Sequence, residues 1–340
     1  MMHGPPERRK RNRPARPLPH EGADARRCTR NSALATHPCQ QPGGRLSSPP
    51  HEGVPLSAIR VLFLGEIVGK AGIYCLKELL PKLKKQHAID FTIADGEGAT
   101  GGFGLGKNHS MYIRKLGVDV ITMGECSYYK KDMVEHIAVS PWILRPANYP
   151  QRNPGRGFGI YEAAGRKIAV ISLLGQANYK RVHLKNPFST LPKVHAVVAA
   201  QTNTIIVDFH AVTTAEKNTM FWHADGKVSA IVGTHTKAPT SDERLMPERT
   251  AVITDVGRVG SIDGVGGLDT EVETRKLTTL IHEYSKETWG RLELQAVVIE
   301  IGDDGLAIGI TRIREHLDSP PQPAAALGPE AAATGGETGG

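Results

Sequence analysis

From residue 59 onward, short apolar runs alternate with longer amphipathic stretches, and this alternation predicts strands joined by helices over a layered sheet. Residues 60–64 read as a buried strand. Residues 73–85 follow as a helix, because Leu76, Leu79, Leu80 and Leu83 recur at helical spacing and mark one buried face. Strands are expected at 91–94 and 118–122, with a helix from about residue 108 to 116 between them. Apolar runs at 168–173, 204–207, 228–232 and 251–254 continue the series. The pattern then changes: 292–301 and 306–313 alternate with period two around Gly302-Asp303-Asp304-Gly305, which reads as a hairpin. An α/β alternation that closes on antiparallel strands suits two packed sheets flanked by helices. No internal repeat and no domain boundary interrupts 59–316, so one domain with two tails is expected.

Composition changes this picture mainly at the ends. The chain has 340 residues, 39% of them apolar, enough for a substantial core. Its formal charge of +7 suggests nucleic acid, but residues 1–58 alone carry ten Lys/Arg against four Asp/Glu. That Pro/Arg-rich segment has no apolar run able to offset its ordering entropy, so it is expected to be disordered. Its basic cluster, Arg8, Arg9, Lys10, Arg11, Arg13 and Arg16, reads first as a solvated tail, and the abrupt start of the core at Ile59 suggests a mis-set start codon. Residues 317–340, rich in Ala, Gly and Pro, are expected to be a second disordered tail. Cys28 and Cys39 lie in the first tail, while Cys75 and Cys126 stand alone in the core without CxxC spacing, so neither a disulfide framework nor a zinc ribbon is indicated. There is no secretory apolar region or membrane-length apolar run, and the expected location is the cytoplasm with no membrane partner.

The candidate chemistry sits at strand ends. Asp95-Gly96-Glu97, Asp208-Phe209-His210 and Gly233-Thr234-His235-Thr236 each close an apolar run, where α/β proteins gather their sites. Glu66, Glu97, Glu125, His210 and His235 all follow strands by a few residues. Five oxygen and nitrogen ligands converging in this way point to divalent-metal hydrolysis. There the cation polarises a phosphate and lowers the pKa of a bound water until it is a hydroxide nucleophile.

At these residues the chain resembles the YmdB-type metallophosphoesterases of the calcineurin-like superfamily. The resemblance runs from Arg60 to about Ile313 and is carried by Leu64-Gly65-Glu66-Ile67-Val68-Gly69, Arg145-Pro146-Ala147-Asn148-Tyr149-Pro150, Asp208-Phe209-His210-Ala211, Gly233-Thr234-His235-Thr236 and Ile253-Thr254-Asp255-Val256-Gly257. It implies a four-layer αββα sandwich, a di-iron or di-manganese centre, and hydrolysis of phosphodiesters such as 2′,3′-cyclic nucleotides or RNA ends. Zinc also suits such a ligand set, and a homo-oligomer is compatible with it.

The resemblance also implies ligands, and the match is uneven. The bridging carboxylate corresponds to Glu97 and two histidines to His210 and His235. An Asp in the family is Glu66 here, an Asn is Gly98, an Asn-His pair is Glu125-Cys126, and a final His is Lys237. One cation would keep Glu97, Glu125, His210 and His235. The other would lose two ligands, and Lys237 is expected in its place, its ammonium pairing with Glu66 and Glu97. Cys126 would replace the histidine that protonates the leaving oxygen, either as a thiol or as a further ligand. His109 reads either as a substitute acid or as a helix-surface residue. The class implied is a phosphodiesterase holding one or two ions; the alternative is a non-catalytic relative that binds a nucleotide, an RNA or a protein partner.

Two competing motifs are weaker. Gly101-Gly102-Phe103-Gly104-Leu105-Gly106-Lys107-Asn108 falls one residue short of a P-loop, since Asn108 stands where a hydroxyl should reach magnesium. Its glycines are read instead as a flexible wall whose amides contact phosphate. No G-x-S-x-G elbow is present for a serine hydrolase.

Overall fold

Both faces of most strands are buried, so they appear in sequence as nearly unbroken apolar runs. The computed structural model describes residues 58–179 and 184–317; the expected tails, 1–58 and 317–340, lie outside the described residues except for Ala58 and for Leu317, which ends a strand. In chain order the first elements are β1 (Ile59–Leu64), β2 (Glu66–Ile67), α1 (Gly69–Gln86), β3 (Phe91–Asp95), α2 (Lys107–Lys115), β4 (Val120–Thr122) and α3 (Lys131–Val139). Next come β5 (Ile143–Leu144), β6 (Phe158–Ala163), β7 (Arg166–Leu174), α4 (Pro187–Val198), β8 (Ile205–His210), α5 (Thr214–Ala224) and β9 (Ala230–Thr234). The last are β10 (Arg244–Leu245), β11 (Ala251–Ile253), β12 (Arg258–Ser261), α6 (Thr270–Thr279), β13 (Leu292–Ile301) and β14 (Ala307–Leu317).

The strands form two sheets. One has the order β2-β12-β13-β1-β3-β4-β5 with β14 on the other side of β13, and the second runs β10-β11-β9-β8-β7-β6. Strand periodicity assigns the layers. Leu62 and Leu64 of β1 face Leu76, Leu80 and Leu83 of α1. Their neighbours Val61 and Phe63 face Val170, Ile206, Val232 and Ile253 of the opposing sheet. On the far side, Val207 and Phe209 of β8 pack on Leu191 of α4 and on Met220 and Phe221 of α5. Helices, sheet, sheet, helices: this is the four-layer αββα sandwich.

Two differences from the sequence reading have local causes. Helix α1 starts at Gly69 rather than 73, in a polar turn that carries little periodicity. Strand β14 continues to Leu317, beyond the apolar run, because it stays paired with β13 as far as Leu292 and its charged residues bond across the pair; Arg314 meets Glu293 at 3.0 Å.

The parallel pairs β1-β3-β4 and β7-β8-β9-β11 set one end of the sandwich. Loops leaving that end from the two sheets meet there.

Candidate metal centre

Each sheet contributes half of the site. Glu66 lies in β2, while Glu97 and Glu125 follow β3 and β4; His210 ends β8, and His235 and Lys237 follow β9. The halves join where His210 Nε2 approaches Glu125 Oε2 at 3.0 Å and His235 Nδ1 at 3.0 Å. His235 Nδ1 is 3.6 Å from Glu125 Oε1. These three residues form one group of converging ligand atoms, and Glu97, Glu125 and Cys126 form a second. Glu125 is common to both groups, and Glu97, expected as the bridging carboxylate, belongs to the second; Glu97 Oε2 accepts the amide of Gly124 at 2.7 Å, and its Oε1 accepts the amide of Cys126.

The surroundings orient the imidazoles. His210 Nδ1 is 2.9 Å from Thr234 Oγ1 and 3.3 Å from Asp95 Oδ2, leaving Nε2 for the centre. Thr234 Oγ1 in turn donates to Asp208 Oδ1 at 2.8 Å. Gly124 lies against the His210 ring: a Cβ there would stand 2.4 Å from Cδ2 and 2.6 Å from Nε2. Substituting Gly124→Ala should therefore displace the imidazole and weaken metal binding roughly 10–100-fold, as loss of an orienting contact does, and a metal titration of the variant checks it.

Charge is unevenly shared. Burial opposes a proton on His210, but Glu125 and Asp95 outweigh it and hold its pKa well above the usual value. For Glu125, burial is overcome by His210, and the carboxyl falls to about 2. His235 goes down to about 3, because burial and the His210 charge act together. Burial, with Glu125 beside it, raises Glu97 well above the carboxylate range. Burial and then Glu97 push the Cys126 thiol far up, so it keeps its proton.

Lys237 Nζ lies 3.0 Å from Glu66 Oε1, and burial pushes Glu66 up to about 7 against the pull of that ammonium. For Lys237 burial acts downward, but Glu66 overcomes it and raises the group above its ordinary value. The lysine pairs with Glu66 and not with Glu97, whose oxygens face backbone amides. The extra methylene of Glu66 also has a consequence at Gly98, where a Cβ would meet Glu66 Oε1 at 2.6 Å. A side chain at 98 would require the Glu66 carboxylate to move.

Several residues of the site were not singled out as candidates from sequence. Asp95 and Asp208 are fully buried behind His210, and both belong to the strand-end triplets already noted. Lys217 of α5 and Asp255 form a buried ion pair at 2.8 Å, and Asp255 also accepts the amides of Thr236 and Gly257. That pair fixes the turn in which His235 and Lys237 take φ of 101° and 59°. His109 is neither a surface residue nor a member of either ligand group: it is buried, with Nδ1 2.8 Å from Thr100 Oγ1. The glycine-rich loop is tied down too, since the amides of Gly102, Gly104 and Gly106 are spent on Gly98 O, Glu97 O and Thr100 Oγ1. Those three amides are not open to a phosphate.

Comparison with known proteins agrees with this geometry. Residues 62–313 match the family model of YmdB-like proteins. The chain is 39% identical over 256 residues to a 2′,3′-cyclic-nucleotide 2′-phosphodiesterase of Bacillus subtilis, covering 75% of this chain and 96% of the relative. A crystal structure described as a novel phosphatase, from Mycoplasma pneumoniae, superposes with a TM-score of 0.73 at 32% identity, over 77% of this chain and 95% of that one. A hypothetical protein of Thermus thermophilus gives 0.71 at 27% identity, over 76% and 99%. With its sandwich fold, its strand-end ligands and a family match across the whole described core, the chain belongs to the YmdB-like family, hydrolases of the metallophosphoesterase class.

Proposed function

We propose that the chain is a phosphodiesterase that holds one divalent cation at Glu125, His210 and His235 and opens phosphodiesters of the 2′,3′-cyclic-nucleotide kind or at RNA ends. The observation that carries this reading is the convergence of those three side chains, with separations of 3.0, 3.0 and 3.6 Å between donor atoms. Such spacings suit ligands placed about 2.1 Å from one first-row ion. The fit is supported by two buried carboxylate oxygens with neither a hydrogen bond nor an ion-pair partner, Glu66 Oε2 beside Lys237 and Asp208 Oδ2 behind His210. Nitrogen and carboxylate donors together suit iron, manganese or zinc.

When bound, the ion supplies Lewis acidity toward the phosphate and a more acidic water. The protein's own groups do the rest. The Lys237 ammonium, paired with Glu66, brings positive charge to the second position and offsets charge developing on phosphorus oxygens. His210 gives up its proton to use Nε2 as a ligand, while His235 is already neutral. Cys126 stands where a general acid would serve. Its thiol is a weak hydrogen-bond donor and gives up a proton reluctantly, and a missing general acid costs roughly 10²–10⁴ in rate.

Two experiments test the reading. Incubating the protein with 2′,3′-cyclic adenosine monophosphate and manganese should yield a linear monophosphate, and a chelator should stop the reaction reversibly; formation of the product at the same rate with chelator present would sink it. The Lys237→His variant should bind more metal per chain than the wild type by elemental analysis, and an unchanged ratio would count against the lysine standing in for a cation.

A further inference from the structure

Between Glu97 and α2 the chain makes a glycine-rich loop that neither the metal site nor the P-loop comparison accounts for. Gly101, Gly102 and Gly104 take positive φ, of 67°, 82° and 79°, and the turn they make lifts Phe103 outward. The ring keeps 40% of its surface exposed, which is unusual for a phenylalanine next to a buried centre. The loop is not slack. Gly104 N donates to Glu97 O at 2.5 Å, Gly102 N to Gly98 O at 3.1 Å, and Thr100 N to Gly104 O at 2.9 Å. Phe103 is therefore registered by backbone bonds to the very segment that carries Glu97.

Two ammonium groups lie over the ring. Lys237 Nζ, which also touches Glu66, is 6.0 Å from its centre, and Lys276 Nζ is 5.8 Å away. Lys276 is held in place by Glu273 at 2.9 Å and Ser285 Oγ at 2.6 Å. A part-exposed aromatic ring with cations over it, one lysine away from a phosphate centre, matches a ligand with a flat ring joined to an anionic sugar phosphate.

We propose that Phe103 is the contact for the nucleobase of the substrate, and that the loop from Gly101 to Gly104 sets the distance between base and reacting phosphate. The proposal rests on the reading of the centre as a site for nucleotide esters. It assigns specificity to a residue that takes no part in holding the ion. Base recognition by an aromatic face is tolerant of base identity, so purine and pyrimidine nucleotides both fit, with the larger purine gaining more contact.

The test is binding rather than turnover, so its failure is separable from failure of the catalytic reading. Adenosine 3′-monophosphate and ribose 5-phosphate are titrated calorimetrically into manganese-loaded wild type, Phe103→Leu and Phe103→Trp. Wild type should prefer the nucleotide, Phe103→Leu should weaken it roughly tenfold or more, the scale of one base–aromatic contact, and Phe103→Trp should restore it. Ribose 5-phosphate should bind all three proteins within about twofold, because the altered residue meets only the base. Equal weakening of both ligands, no weakening of either, or no preference for the nucleotide in wild type would each overturn the proposal. Base-dependent binding without any hydrolysis would leave it standing and remove the catalytic reading instead.

Discussion

Replacing His210 with alanine should reduce manganese-supported phosphodiester turnover by roughly three orders of magnitude or more. Lewis-acid stabilisation is worth several kcal/mol, and each 1.36 kcal/mol is a factor of ten. His210 and His235 both reach Glu125 from the opposite sheet, His210 at 3.0 Å and His235 at 3.6 Å. His210 Nε2 faces both Glu125 and His235, and its Nδ1 face is occupied by Thr234 and Asp95. Loss of the ring leaves the buried carboxylate of Asp95 without its partner and Glu125 with only His235, so the free protein should also melt earlier. Steady-state turnover and metal content measured on the same preparation separate the effects. Retained metal with lost turnover would place His210 in the chemistry rather than in the ligand set.

The second large effect is expected at a residue outside the ligand set. Lys217→Met should destabilise the fold by about 3–5 kcal/mol, the range for breaking a buried ion pair by removing one partner. In a domain of this size that corresponds to a melting-temperature decrease of roughly 10 °C. Lys217 and Asp255 are both fully buried and 2.8 Å apart. Without the ammonium, Asp255 keeps two amide donors, from Thr236 and Gly257, but no countercharge. The turn bearing His235 and Lys237 hangs on those amides, so metal affinity should fall as well. A thermal shift below about 2 °C would mean that water or a rearranged neighbour neutralises Asp255.

How much of this was readable in the sequence depends on where the polar residues stand. Glu97, His210 and His235 each interrupt or end an apolar run, so strand periodicity points directly to them. Glu66 and Lys237 are visible as departures from the family pattern, but their 3.0 Å pairing and the collision at Gly98 depend on the approach of two separate loops. Asp95 and Asp208 lie inside the same triplets, and their role follows only once β3 and β8, in facing sheets, are brought together around His210. Lys217 was not legible: on α5 it is fully buried while Trp222 is 65% exposed, the reverse of what residue type suggests. Only Asp255, arriving from the end of β11, makes that burial tolerable. His109 failed in the opposite way, reading as a surface residue because the loop that covers it is rich in glycine and carries no apolar signal.

Reconstitution decides whether a single cation at Glu125, His210 and His235 carries the activity. The full chain is stripped of metal with a chelator, manganese is added back in increments, and hydrolysis of 2′,3′-cyclic adenosine monophosphate is followed against bound metal per chain. Turnover should be absent from the stripped protein, rise in proportion to bound manganese and saturate at about one ion per chain, the stoichiometry set by a lysine in place of the second cation. Full activity before any metal is added, or none at saturation, would contradict the account.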